Sequence, residues 1–146
     1  MRFLRTLHAL PPSDRRLLLK AALLLAMVKS LLRVAGLPAV RWLLGTLIAL
    51  ATPRRVFVPA PSPARIAWAV AALSRRWRVT CLGQALVTQT MLELSGFQGT
   101  MRIGVRRNSA GEFESHAWVE CSDGPFPGQP AAGTFSPLLA FPRVRP

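Results

Sequence analysis

Two stretches decide how this chain is read: Thr80-Cys81-Leu82-Gly83-Gln84-Ala85-Leu86 and Ser115-His116-Ala117-Trp118-Val119-Glu120. From Cys81 a helical pattern runs to about Ser95, and Gly96 closes it. Thr80 is a residue type that caps helix N-termini through its hydroxyl, which puts Cys81 in the first turn. Leu82, Ala85, Leu86, Leu92 and Leu94 make this helix apolar on more than one side, as a central buried helix is. Two alternating runs follow. In Thr100–Arg106, Met101, Ile103 and Val105 share one face, and Arg102, Gly104 and Arg106 the other. In Phe113–Cys121, the residues Phe113, Ser115, Ala117, Val119 and Cys121 share one face, and Glu114, His116, Trp118 and Glu120 the other. Parity therefore sends Cys121 away from His116.

A thiol at a helix N-terminus and an imidazole on a nearby strand make chemical sense together. Only the thiolate is a good nucleophile. The unpaired N–H groups and positive dipole end of a helix stabilise an anion there. The same N–H groups can hold the oxyanion of a tetrahedral intermediate. A histidine in reach takes the thiol proton and returns it to a leaving amine. A cysteine that merely packs in the core is the competing reading of Cys81 taken alone.

The chain has 146 residues, 51% of them apolar, enough for a core, and a formal charge of +13. That charge is lopsided. Residues 1–80 carry 14 Lys/Arg and one acid, Asp14, whereas residues 81–146 carry five Arg and five acids. The basic residues are scattered singly among leucines without a nucleic-acid-binding signature, so nucleic acid is not expected as a partner. Basic, leucine-faced helices fit a membrane surface, a partner or a solvated face better. Two cysteines do not make a disulfide framework, and a reducing, cytoplasmic setting is expected, with membrane association as an addition. Two Cys and two His (His8, His116) lack metal-ligand spacing, and no cofactor is expected.

Met1–Leu10 lacks the clean apolar run and small-residue site of a signal peptide. Pro11-Pro12-Ser13-Asp14 is a helix start, with Ser13 or Asp14 as the expected cap. A leucine-rich helix runs from Arg15 to about Ala35, ended by Gly36 and Pro38, and a second covers Val40–Ala51. Both are interrupted too often, or end too soon, to span a membrane. Packing on the back half, a membrane and a partner are the places where their leucines can go. The proline-rich 52–63 reads as a connector, dividing a helical extension, 1–58, from a core, 59–146. Ser62-Pro63 reads as N-cap and first position of a helix with the stripe Ile66, Val70, Leu73 and Trp77. Past a turn at Ser122–Pro125, the tail is expected to be irregular, with one short strand near Pro125–Pro127.

Cys81-Leu82, Gln84-Ala85-Leu86, Leu92, Gly96, Arg102-Ile103-Gly104-Val105 and His116-Ala117-Trp118-Val119-Glu120, in that order, resemble the lasso-peptide biosynthesis B2 proteins, which are transglutaminase-like leader peptidases. The resemblance covers about residues 64–140. It implies an α+β fold, with a transglutaminase/papain-like core in which the Cys-bearing helix packs on a small antiparallel sheet, behind an N-terminal helical extension. It implies Cys81 as nucleophile and His116 as general base and acid. It also implies hydrolysis of a ribosomally made precursor peptide, which frees the core N-terminus for a lasso cyclase, with a PqqD-like leader-recognition protein as partner. The family's acid, a dozen residues past the His, falls here on Gly128. Glu120, Asp123 and Gln129 are the candidates for a third member, and a Cys–His dyad is the alternative. Two other readings keep the fold: an acyltransferase using the same pair, and a degenerate scaffold that binds precursor or partners.

Overall fold

The computed structural model describes residues 10–51, 60–121, 126, 129–131 and 133–142. Among the described residues, four helices precede three strands: α1 (Pro12–Val34), α2 (Gly36–Ala51), α3 (Pro63–Trp77), α4 (Cys81–Leu94), β1 (Gly99–Arg107), β2 (Phe113–Cys121) and β3 (Ser136–Phe141). The strands form one antiparallel sheet in the order β2-β1-β3. This is an α+β core, as the sequence predicts.

α4 lies between the other helices and the sheet, touching α1, α2 and α3 as well as β1 and β2. Its central place explains its all-round apolarity: Leu86, Val87, Gln89, Thr90 and Leu92 are fully buried. α3 buries Ile66, Val70 and Leu73 against it, three of the four residues of the sequence stripe, and Trp77 packs at the margin. α1 buries Leu17, Leu18, Ala21, Leu25 and Val28 in the same cluster. So the leucine-rich front helix packs on the back half, although Leu19, Leu23, Val34, Trp42 and Leu50 stay exposed.

Several of the front-half basic residues are structural. Lys29 Nζ donates to the Trp77 carbonyl at 2.6 Å, satisfying an orphan acceptor at the α3 C-terminus. Asp14 pairs with Arg65, whose guanidinium also stacks over Trp68 at 4.4 Å. Arg41 of α2 sits over the Phe141 ring of β3 at 4.3 Å.

Three sequence expectations are corrected. α1 starts at Pro12, not Arg15, and neither Ser13 nor Asp14 caps it: Pro11 holds the N-cap without a side-chain bond. Proline's fixed φ suits the first helical position, and this brings Asp14 into the first turn, where it meets Arg65. α2 starts at Gly36, not Val40, because Pro38 falls in its first turn, where no N–H is required. Gly36 itself, at φ +74°, makes the corner between the two helices. The tail holds a strand, β3, that its sequence did not announce. Pro125 and Pro127 lie outside the described residues, and Phe126 between them is not in a strand. The readings of residues 1–9, of the connector at 52–59 and of the Ser122–Pro125 turn also fall outside them.

One buried amide fixes the helix to the sheet. Gln89 Nε2 donates to the Gly99 carbonyl at 2.9 Å and the Phe141 carbonyl at 2.7 Å, joining α4 to β1 and β3 at once. Gly99 permits the approach, since a Cβ there would lie 3.0 Å from both Leu92 Cδ1 and Val119 Cγ1. Replacing Gln89 by Leu keeps the bulk and strips both carbonyls of this donor. Such a change should cost about 2 kcal/mol or more of stability in urea unfolding.

Candidate active site

Cys81 owes its position to the turn between α3 and α4. Arg78 takes the left-handed conformation (φ 50°) and ends α3, with the Val79 N–H returning to the Ser74 carbonyl at 3.0 Å. Thr80 then caps α4, as its sequence predicts: its Oγ1 accepts from the Gly83 N–H at 3.2 Å, and its carbonyl accepts from the Gln84 N–H at 2.9 Å. The second is the helix's first i→i−4 bond, and the first covers one of the four N–H groups that a helix start leaves open. Cys81 and Leu82 carry two of the others, and neither N–H has a partner among the described residues. The far end of α4 is closed by a Schellman pair, Phe97 N–H to the Leu92 carbonyl and Gly96 N–H to the Glu93 carbonyl, with Gly96 at φ +86°.

His116 comes from β2, which is an edge strand. β2 pairs with β1 from Gly99↔Cys121 to Arg107↔Phe113, so Gly104 lies opposite His116. The hairpin is closed by Asn108, whose Oδ1 accepts from the Ala110 and Glu112 N–H groups at 3.0 and 2.9 Å. Beside it Arg106 bonds Glu114 and, with Asn108, holds that carboxyl below the usual carboxylate range.

Cys81 and His116 line one small open cleft of about 50 Å³, together with Gln84, Ala85, Thr88, Ala117, Trp118, Val119 and Phe126. Residues from both faces of β2 take part, which places the cleft along the strand's free edge, beside the start of α4. No hydrogen bond joins the thiol to the imidazole. Cys121 is turned the other way: it packs against the core, and its Sγ donates to the Gln98 carbonyl at 3.3 Å.

Of the three candidates for a third member, Glu120 and Gln129 are described, and both are bonded elsewhere. Glu120 shares a sheet face with His116 but is engaged elsewhere: its Oε2 accepts from Arg102 Nε at 2.5 Å and its Oε1 from Trp118 Nε1 at 3.1 Å. Gln129 spends its side-chain carbonyl on a turn, accepting from the Phe126 N–H at 3.3 Å, and does not line the cleft. Asp123 lies outside the described residues. No carboxylate lines the cleft among the described residues. Sequence reasoning passed over Phe126 and Thr88, which wall the cleft, and Phe135, whose ring lies 5.3 Å from that of His116. Thr88, one helical turn beyond Gln84 and two beyond Cys81, was within reach of a helix-face argument. Phe135 was not, because nothing local ties it to His116.

A helix that opens on a cysteine, set against an antiparallel sheet that carries a histidine at the same cleft, is the arrangement of a thiol enzyme core. The family model for the Transglutaminase-like superfamily matches residues 18–140. The chain belongs to that superfamily. Its fold is the α+β core of that superfamily, whose members are generally cysteine proteases and acyltransferases. Neither curated proteins nor solved structures gave a match. The matched region begins inside α1. No described helix is long and apolar enough to cross a membrane.

The cap should matter measurably. Thr80→Ala should cost about 1 kcal/mol in chemical denaturation, and Thr80→Ser should recover most of it, since serine offers the same oxygen.

Proposed function

We propose that this transglutaminase-like protein is a cysteine peptidase that removes the leader from a ribosomally made lasso-peptide precursor. The observation that carries the reading is the shared cleft: Cys81 in the first turn of α4 and His116 on the edge strand line the same small space. The order of the sequence motifs resembling the lasso B2 proteins supplies the substrate class.

In this reading Cys81 Sγ gives its proton to His116 and attacks the carbonyl carbon of the scissile peptide bond. The carbonyl oxygen becomes an oxyanion, and the unpartnered N–H groups of Cys81 and Leu82 are its donors. When the intermediate collapses, the C–N bond breaks and His116 protonates the leaving amine, which is the N-terminus of the core peptide. The leader remains as a thioester on Cys81. Water, deprotonated by His116, adds to that thioester, the C–S bond breaks, and the leader leaves as a carboxylate. Substrate docking brings the thiol and the imidazole into hydrogen-bond reach. A PqqD-like protein presents the leader, a lasso cyclase consumes the freed amine, and a membrane surface is a further contact for the basic front helices.

One observation favours a second reading. With no carboxylate lining the cleft among the described residues, the tautomer of His116 lacks the usual orienting acid. A non-catalytic precursor-binding scaffold would also look this way. An acyltransferase using the same pair would differ only in its acceptor, an amine in place of water.

Mass spectrometry of the precursor incubated with this protein and the leader-recognition protein separates the readings. The peptidase reading expects free leader and core whose masses sum to the precursor plus one water, and no release by Cys81→Ala. A leader mass raised by an added amine would establish acyl transfer. Release by Cys81→Ala at the wild-type rate would contradict both enzyme readings.

A further inference from the structure

The His116 ring is held by other rings. Trp118, two residues along the same face, stacks beside it with centroids 6.1 Å apart and planes 13° from parallel. Phe135, which enters just before β3, lies 5.3 Å from His116 and 6.2 Å from Trp118. The space for the indole comes from Gly104: a Cβ there would sit 2.9 Å from Trp118 Cη2 and 2.8 Å from the Ser136 carbonyl oxygen. The cluster is anchored at both ends. Glu120 accepts from Trp118 Nε1 with one oxygen and from Arg102 with the other, so the indole is tied to β1. On Phe135 lies the Arg106 guanidinium, 4.9 Å from the ring centre and fixed by its bond to Glu114.

We propose that Phe135, Trp118 and Glu120 are positioning residues that clamp the His116 ring for its work on Cys81. Glu120 acts through Trp118, not on the imidazole. The proposal rests on the peptidase reading, and it names what replaces an orienting carboxylate. In a hydrogen-bonded triad the acid fixes both the ring's orientation and the nitrogen that carries its proton. Stacked rings fix the plane alone, by excluding the rotamers that would collide with them. The clamp therefore supplies geometry and leaves the proton free to sit on either nitrogen.

The test uses the full chain with precursor and leader-recognition protein. Phe135→Leu keeps apolar bulk and removes the ring, and Phe135→Tyr restores a ring. Leader release by Phe135→Leu should show kcat reduced roughly 10- to 100-fold with KM within about twofold of wild type, the cost of a misplaced catalytic group. Phe135→Tyr should recover most of the rate. In parallel, NMR of the His116 ring protons, assigned against His8→Gln, should show them shielded by the flanking rings in wild type. They should shift downfield in Phe135→Leu but not in Phe135→Tyr. Glu120→Leu, a change at a half-exposed site, should move the same signals by freeing Trp118, and it serves if Phe135→Leu does not fold. Unmoved ring signals, or moved signals with wild-type kcat, would overturn the clamp. A wild-type protein that releases no leader would sink the peptidase reading instead, and the ring signals alone would then decide whether these residues hold His116.

Discussion

Gln89 sits fully buried in the middle of α4 and gives its amide hydrogens to two backbone carbonyls, one at the start of β1 and one at the end of β3. A buried amide N–H costs free energy unless it is bonded, so these bonds from Nε2 hold the helix in one register on the sheet. The rest of the architecture follows from that register. Cys81 lies at the N-terminal end of the same helix, and β2, which carries His116, pairs among the described residues only with β1. A sliding or tilting α4 would separate the thiol from the cleft. Gly99, where a Cβ would press on Leu92 and Val119, and the Schellman closure at Gly96 serve the same constraint from the other end.

Around this fixed helix the chain's opposite ends take different chemical roles. The front half is basic and apolar, yet part of its charge is spent internally: Lys29 closes α3, Arg65 pairs with Asp14, and Arg41 reaches across to β3. The outer face of the sheet is laid out as a ladder of Arg102, Gly104 and Arg106 against Glu114, His116, Trp118 and Glu120. Ion pairs flank the aromatic centre on both sides. Exposed pairs of this kind add little to stability, but they fix the side chains that surround His116.

The helices and the first two strands were legible because their signals are local. Ser62-Pro63 and Thr80 are cap chemistry, the α3 stripe has the helical period, and the alternation from Thr100 to Cys121 gave both strands and the inward turn of Cys121. β3 was hidden because it does not alternate. Leu138 and Leu139 are both exposed, Pro137 breaks the run, and the pairing with β1 shifts register between Ile103 and Gly104. Such a strand is held by β1's carbonyls and by Gln89, not by its own pattern. Gln89 carries no local signal, since its partners lie on two different strands. The ring cluster was out of reach for the same reason: it needs Gly104 opposite His116 and Phe135 returning from the tail. The third member stays unassigned from sequence because spacing alone cannot show that Glu120 is already bonded to Arg102 and Trp118.

The central claim is that Cys81 and His116 form one reactive unit. It is tested most directly with an electrophilic peptide that carries the precursor's leader sequence and ends in a nitrile, offered to the intact protein with the leader-recognition protein. The covalent thioimidate is then located by peptide mapping. The account predicts one adduct, on Cys81, with Cys121 unmodified and the rate sharply reduced by His116→Ala. Equal labelling of both cysteines, or labelling of Cys81 at an unchanged rate without His116, would contradict it.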